Sequence, residues 1–214
     1  MSVTPRVYVV DDDAAIRTSL QRLLNSADIP CSVFDSAEAF LAAPPEPGPT
    51  CLLLDVNLAQ GTGFDLQDTL LARGLHFPII FMTGYGTIAM SVRAIKAGAH
   101  EFLTKPFEPE QLLDLVRQAL LIDERNLAER CLTCDIRERF ASLTPREKEV
   151  MELLVTGKLN KQIALELGTS EVTAKVHKKH VMTKMNARNV IELLKMRERL
   201  GLCLNQPVRN SLES

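Results

Sequence analysis

The first half of the chain alternates short apolar runs with stretches in which apolar residues recur at helical spacing. The apolar runs predict five strands, at residues 6–10, 31–34, 51–55, 78–82 and 101–104. The intervening stretches predict helices at residues 14–26, 36–42, 65–73, 87–97 and 109–121. Strands that alternate with helices in this way predict an α/β domain, built on a doubly wound, five-stranded parallel sheet.

The second half shows helical spacing only. A charged stretch at residues 122–142 contains neither Pro nor Gly and predicts a helical linker. Thr144-Pro145-Arg146-Glu147 then has the pattern of a capping box with Pro at the first helical position. Further helices are predicted at residues 160–167, 170–185 and 189–200, with a tight turn at Gly168. The sequence therefore predicts an all-α, four-helix second domain.

Four segments follow from this pattern. We expect the α/β domain at residues 4–122, the linker at 123–139, the helical domain at 140–204 and a flexible tail at 205–214.

The two halves of the chain also differ in net charge. Residues 1–123 carry 8 Lys and Arg against 15 Asp and Glu, a net charge of −7, whereas residues 124–214 carry 17 against 12, a net charge of +5. A basic second half is typical of a nucleic-acid-binding domain.

Composition narrows the class of protein. With 46% hydrophobic and 24% charged residues in 214, the chain is expected to be globular. No apolar run approaches the ~20 residues that cross a bilayer, and no signal-peptide pattern is present, so a cytoplasmic protein without a membrane partner is expected. Five irregularly spaced cysteines do not predict disulfides, and Cys131-Leu-Thr-Cys134 lacks the second cysteine or histidine pair of a zinc site.

Polar side chains stand where four of the predicted strands end. Asp11 and Asp12 follow the first strand, Asp55 ends the third, Thr83 follows the fourth and Lys105 follows the fifth. Because the carboxyl ends of parallel strands share one edge of a sheet, these groups are expected to meet. Carboxylates suit Mg²⁺, with Asp12 and Asp55 as direct ligands, Asp11 acting through water and the Asn57 carbonyl adding a fourth oxygen.

The same groups suit phosphoryl transfer. Asp55 is the expected nucleophile, because a carboxylate can accept a phosphoryl group as an aspartyl phosphate. Lys105 and the Thr83 hydroxyl are expected to hold the phosphoryl oxygens, while the metal ion neutralises their charge. We also expect a cis peptide bond between Lys105 and Pro106, which would aim the lysine inward.

These motifs resemble a known family. Val9-Val10-Asp11-Asp12-Asp13, Leu54-Asp55-Val56, Met82-Thr83-Gly84 and Thr104-Lys105-Pro106-Phe107 are similar to the motifs of response-regulator receiver domains, which have a flavodoxin-like fold. The resemblance implies that a sensor histidine kinase phosphorylates Asp55 with Mg²⁺. It also implies that Thr83 moves toward the phosphoryl group while Phe102 turns inward as a switch.

The helix predicted at 170–185 is the most basic part of the chain. From Ser170 to Arg188, five basic residues accompany Glu171 alone. A short helix, a glycine turn and a longer basic helix are the parts of a helix-turn-helix, whose second helix enters the major groove. We expect its core-facing residues to be Val172, Val176 and Met182 and its outward- or sideways-facing residues to be Thr173, Lys175, His177 and Lys178. The alternative is a solvated basic helix in a plain bundle.

A second resemblance bears on this alternative. Leu143-Thr144-Pro145-Arg146-Glu147, Asn160-Lys161-Gln162-Ile163-Ala164 and Thr173-Ala174-Lys175-Val176-His177 resemble the LuxR-type DNA-binding domain, so the whole chain resembles the FixJ subgroup of response regulators. This resemblance implies that Lys175, His177 and Lys178 lie on the recognition helix and that Lys161 lies near the DNA backbone. It also implies a homodimer, formed on phosphorylation through residues 88–97, the fifth strand and the last receiver helix.

The sequence therefore predicts a transcription factor and not an enzyme, with a sensor histidine kinase and double-stranded promoter DNA as partners and RNA polymerase as a further candidate. Three other functions remain. A magnesium-dependent aspartyl phosphatase would need a general acid beside Asp55, where Val56 and Asn57 offer none. A LuxR regulator that senses a small ligand would need an apolar pocket in its first half. A receiver that acts through protein partners would not bind DNA.

Overall fold

The computed structural model describes residues 4–44 and 46–201, so the tail predicted at 205–214 lies outside the described residues. Its contacts divide the chain into two compact units, with the boundary between Ala128 and Glu129. None of the helices in the described part of the chain is both long enough and apolar enough to cross a membrane.

The first unit contains one parallel sheet of five strands. The strands are β1 (Arg6–Val10), β2 (Cys31–Phe34), β3 (Thr50–Asp55), β4 (Ile79–Thr83) and β5 (Glu101–Thr104). Their spatial order is β2-β1-β3-β4-β5, and every pair of neighbours is parallel. This is the order of flavodoxin-like doubly wound sheets, which confirms the predicted fold class.

Nine helices surround the sheet or form the second unit within the described residues. They are α1 (Ala14–Ser26), α2 (Ala37–Ala42), α3 (Gly63–Ala72), α4 (Ile88–Lys96), α5 (Pro109–Ala141), α6 (Pro145–Val155), α7 (Asn160–Glu166), α8 (Glu171–Met185) and α9 (Val190–Arg199). Side-chain caps precede several of them, including Ser36, Thr87 and Ser170, and the Thr144–Glu147 capping box predicted from the sequence is present.

Both faces of the sheet are buried, which is why its strands are continuous apolar runs. Along β1, Val7 and Val9 face a core completed by α1 and α5, whereas Tyr8 and Val10 face a core completed by α2, α3 and α4. Successive side chains of a strand point to opposite faces, so a strand covered on both sides needs apolar residues throughout. The carboxyl ends of the strands are thereby left as the edge where polar groups lie.

Helix α5 differs from the prediction in length. A first helix ending at residue 121 and a separate helical linker were expected, but one helix runs from Pro109 to Ala141. Asp123, expected at the start of the linker, is buried in the first unit, and its Oδ2 accepts a hydrogen bond from the Thr50 backbone N–H at 2.8 Å. The first unit therefore includes a further turn of α5 beyond residue 122.

The second unit has a core of its own. Ile136 and Leu143 pack with the apolar faces of α6, α7, α8 and α9, and the most buried side chains include Val150, Ile163 and Leu193. Gly168 has a φ of +60° in the turn between α7 and α8, a conformation in which glycine is unstrained. The order of short helix, glycine turn and long helix is that of the predicted helix-turn-helix.

Candidate functional site

The ends of β1, β3 and β5 bring three charged side chains together. Val10 of β1 pairs with Leu54 of β3, so Asp11 follows β1 beside Asp55. The Lys105 Nζ donates to both carboxylates, at 2.7 Å to Asp11 Oδ2 and 2.6 Å to Asp55 Oδ1. The Lys105–Pro106 peptide bond is cis, as predicted. One ammonium group thus bridges two carboxylates that the sequence placed 44 positions apart.

Backbone amides orient the two remaining carboxylate oxygens. Asp11 Oδ1 accepts from the Asp13 N–H at 2.9 Å, and Asp55 Oδ2 accepts from the Asn57 N–H at 2.7 Å. Asp11 and Asp55 are buried, with exposures of 1% and 6%. Two buried carboxylates beside one ammonium leave a net negative charge at this edge of the sheet.

The pKa values of Asp55 and Lys105 reflect this arrangement. Burial raises the pKa of Asp55, and the nearby Asp11 charge raises it further, while the hydrogen bond and charge of Lys105 oppose the rise. Burial alone would lower the pKa of Lys105, but its contacts with Asp11 and Asp55 raise it overall. The site therefore holds an ionised lysine and a carboxylate whose negative charge is poorly solvated, so a second cation would be favoured there.

The donor atoms fit a hard cation, although they do not form a ready-made cage. In the described part of the chain, no three His, Cys, Asp or Glu side chains are grouped to hold a metal ion. Asp12 and Asn57 are exposed beside the buried Asp11 and Asp55. The oxygen donors and the excess negative charge suit Mg²⁺, which usually takes one or two carboxylates and keeps several waters.

Thr83 and Phe102 lie on neighbouring strands next to this cluster. Thr83 is fully buried, and its Oγ1 accepts a hydrogen bond from the Tyr85 N–H at 3.2 Å. Phe102 is half-buried, with its ring centroid 6.4 Å from that of Phe81. A Cβ atom at Gly86 would lie only 2.6 Å from Thr104 Cγ2 and 3.1 Å from the Phe102 ring, so glycine allows the loop after β4 to pack closely against the two predicted switch residues.

The basic helix α8 presents a different face to solvent from the one predicted. Val172 is 74% exposed and Val176 is 46% exposed, so the expectation that they face the core is wrong, whereas Met182 is half-buried and packs against the core of the second unit as predicted. The core residues of α8 are Ala174, Val181 and Met185. Because a residue advances ~100° around a helix, an error in choosing one core residue rotates the whole predicted face.

The predicted DNA-binding residues divide according to this face. Lys175, Thr173 and, on α7, Lys161 are exposed, whereas His177 and Lys178 are half-buried. His177 Nδ1 is buried and has no hydrogen-bond partner. The sequence reasoning missed Val172, Val176 and Lys179, which line the exposed groove of α8 together with Asn160, Lys175, Lys178 and Met182. Taking Ala174 as a core residue would have identified them.

Comparison with known proteins assigns the chain to a family. Residues 7–117 match the model "Response regulator receiver domain", and residues 141–197 match "Bacterial regulatory proteins, luxR family". The chain is a response regulator with a LuxR-type DNA-binding domain. It belongs to a family of transcriptional regulators, which are not generally enzymes.

Related regulators match along most of the chain. It is 42% identical to nodulation protein W of Bradyrhizobium diazoefficiens, over 93% of this chain and 88% of that protein. It is 41% identical to the transcriptional regulatory protein FixJ of the same organism, over 94% of this chain and 98% of that protein. Among solved structures, the response regulator StyR superposes with a TM-score of 0.83 at 43% identity, covering 92% of this chain and 99% of that one.

Proposed function

We propose that Asp55 accepts a phosphoryl group from a sensor histidine kinase, and that this modification controls binding of promoter DNA by helix α8. An oxygen of Asp55 would form the bond to phosphorus while the bond from phosphorus to the kinase histidine nitrogen breaks. The released histidine keeps the electron pair and takes up a proton. The observation that carries this proposal is the bridge of Lys105 between two buried carboxylates, of which Asp55 ends the central strand of the sheet.

Other residues would stabilise the transferring group. Lys105 donates to Asp55 now and would remain within reach of a phosphoryl oxygen attached there. The Thr83 hydroxyl ends the neighbouring strand β4 and would supply a second donor after leaving its contact with the Tyr85 N–H. Asp11, Asp12, Asp55 and the Asn57 carbonyl would hold Mg²⁺, whose charge would offset that of the phosphoryl oxygens.

Substitution of Asp55 tests the first half of the proposal. Asp55→Asn should abolish labelling of the full chain by radioactive acetyl phosphate with Mg²⁺, because an amide is a poor nucleophile. A chelator should abolish labelling of the unsubstituted chain. Asp28→Asn is the matched control, since Asp28 is exposed with a φ of 56°, a conformation that asparagine tolerates. Label retained by Asp55→Asn would move the acceptor to another residue.

The second half of the proposal concerns the binding of DNA by helix α8. We propose that Lys175, Val176 and Lys179 face the DNA groove, that Thr173 contacts DNA near the start of the helix, and that Lys161 lies near the backbone. The support is their exposure and the lysine-lined groove of α8. The half-buried Lys178 also lines this groove, whereas the half-buried His177 would act from its edge. The proposed partners, in the cytoplasm, are a sensor histidine kinase, promoter DNA, RNA polymerase and, after phosphorylation, a second copy of the chain with which it forms a homodimer.

Alanine substitutions on α8 test this assignment. Lys175→Ala and Lys179→Ala should each weaken binding of a duplex selected from a random library by about 1–3 kcal/mol if they read bases, and should leave labelling of Asp55 unchanged. Lys195→Ala is the matched control and should leave binding nearly unchanged, because Lys195 is exposed but lies on α9, outside this groove. A loss with Lys195→Ala as large as that with Lys175→Ala would contradict the assignment of α8 as the helix that reads bases.

A further inference from the structure

Glu147 of α6 is a buried carboxylate that is held in place by the recognition helix. Its side chain completes the capping box, with Oε2 accepting from the Thr144 N–H at 2.8 Å. The same oxygen accepts from Lys184 Nζ at 2.6 Å, and Oε1 lies 3.6 Å from His180 Nδ1. Glu147 is 3% exposed, although it lies in the first turn of a surface helix.

The two residues of α8 that reach Glu147 lie on one flank of that helix. His180 and Lys184 are four positions apart and so stand one above the other. At ~100° per residue, they lie roughly 90–130° around the axis from the exposed face centred on Val172, Lys175, Val176 and Lys179. They are also separated from the buried face of Ala174, Val181 and Met185.

The contact with Glu147 adds a directional constraint on the rotation of α8 to the constraint that its buried residues Val181 and Met185 impose. Apolar packing is non-directional, and the first half of α8 contributes only the methyl group of Ala174 to the core. Charge-assisted hydrogen bonds, by contrast, are short and require a defined geometry. The pKa of Glu147 is lowered to about 2, with the hydrogen bond from Lys184 as the largest cause, followed by that from the Thr144 amide. The carboxylate is therefore ionised and paired under ordinary conditions.

We infer that Glu147 is a positioning residue for DNA recognition: by accepting the hydrogen bond of Lys184, it fixes the rotation of α8 about its own axis. Rotation decides which side chains face the groove, as a shift of ~100° would replace Val176 by its neighbour His177. Loss of the anchor should therefore impair sequence-specific contacts more than contacts with the phosphate backbone. The inference rests on the proposed binding of DNA by α8.

Electrostatics and positioning predict opposite effects of one substitution. Glu147→Gln removes a negative charge from a domain that binds a polyanion, so charge alone would leave DNA binding unchanged or tighter. Loss of helix position would instead weaken binding to a specific sequence. Glu149 offers a matched control on the same helix, because it is exposed and its ion pair is with Arg146, at 2.7 Å, and not with α8.

The experiment measures dissociation constants of the full chain for two duplexes, one selected from a random library by the unsubstituted protein and one scrambled. Glu147→Gln should bind the selected duplex about tenfold more weakly, the loss expected when a base contact is broken, and the scrambled duplex as tightly as before or more so. Glu149→Gln should bind both duplexes at least as tightly as the unsubstituted chain. Partial unfolding would weaken both duplexes equally and so leave their ratio unchanged.

Substitutions of Lys184 test the same contact from the other side. Lys184→Met should reproduce the loss of selectivity. Lys184→Arg keeps the ion pair and should preserve the selectivity. These two substitutions test the inference if Glu147→Gln does not fold. A Glu147→Gln protein as selective as Glu149→Gln would overturn the inference. Failure of the unsubstituted chain to bind any duplex would instead overturn the proposed DNA binding, so the two failures are distinguishable.

Discussion

At the scale of single residues, both units bury a carboxylate and pair it with lysine, but with opposite consequences for its proton affinity. Burial dominates at Asp55 and raises its pKa, whereas hydrogen bonds dominate at Glu147 and lower its pKa. The lowered pKa of Glu147 means that its contribution to stability is full above its ordinary value of 4.5 and is lost as the pH falls toward 2. Asp55 is instead kept at a cost in stability, as is common for reactive groups.

Removal of Lys105 from the proposed phosphoryl site should lower the free energy of unfolding. Lys105→Met would leave Asp11 and Asp55 buried side by side without the ammonium group that bridges them. We expect the free energy of unfolding to fall by about 1–3 kcal/mol near neutral pH, because the carboxylates lose a buried hydrogen-bond donor. Because Asp55 already has a raised folded-state pKa, the deficit should shrink as the pH falls and the pair takes up a proton.

Urea unfolding at about pH 7 and about pH 5 measures this dependence. Lys96→Met on α4 is the matched control, since Lys96 is exposed and its loss should change stability little at either pH. A deficit for Lys105→Met that grows on acidification would contradict the raised pKa of Asp55.

At the scale of helices and strands, the sequence predicted those features that local pattern determines. The five strands were predictable because burial on both faces requires continuous apolar runs, and caps such as Ser36 and Thr144 marked where helices begin. The edge of the sheet that carries Asp11, Asp55 and Lys105 followed from the parallel direction of the strands.

The errors arose where distant parts of the chain decide the outcome. The face of α8 depends on which side chains α6 and α7 cover, and Ala174 has too little apolar surface to be recognised as a core residue from sequence. The extent of the first unit depends on Asp123, whose partner Thr50 lies 73 positions away. Neither relation leaves a periodic signal in the local sequence.

The hydrogen bond between Asp123 and the Thr50 backbone predicts where a stable receiver fragment must end. A fragment that ends at residue 122, the boundary expected from sequence, should be less stable than one that ends at Ala128. The difference should be about 1–3 kcal/mol or more, because the buried Thr50 N–H loses its acceptor. Urea unfolding of the two fragments measures it.

Two single substitutions distinguish the contribution of this hydrogen bond to stability from that of the longer helix. Asp123→Ala in the longer fragment should account for most of the difference, whereas Glu124→Ala, which alters an exposed neighbour, should not. Equal stability of the two fragments would show that the first unit ends before Asp123.

At the scale of the whole molecule, the acidic first unit and the basic second unit must communicate for phosphorylation to control DNA binding. An apolar surface of the first unit is suited to this communication, because a second copy of the chain would be able to pack against it. Helix α4, beside strand β5, exposes Ile88, Val92 and Ile95, and Tyr85 is exposed in the preceding loop. Tyr85 donates its N–H to the Thr83 hydroxyl, so this apolar face begins two residues from a proposed ligand of the phosphoryl group.

We therefore expect phosphorylation to favour a homodimer through this α4 face. Ile88 is 85% exposed, and full burial of such a side chain contributes about 1.5–3 kcal/mol. Ile88→Asp should consequently weaken dimerisation of the acetyl-phosphate-treated chain by at least about tenfold, as measured by sedimentation equilibrium. Labelling of Asp55 should be unaffected, because Ile88 lies outside the cluster of Asp11, Asp55 and Lys105.

Leu71→Asp is the matched control for this prediction. Leu71 is also an exposed apolar residue of the first unit, but it lies on α3 and not on the α4 face. It should leave both labelling and dimerisation unchanged. If Ile88→Asp dimerises like the unsubstituted chain while Leu71→Asp does not, the dimer forms through helix α3 and not through the α4 face. If phosphorylated protein stays monomeric in every case, Asp55 must act on α8 within one chain, and the exposed α4 face would then be available to a different partner.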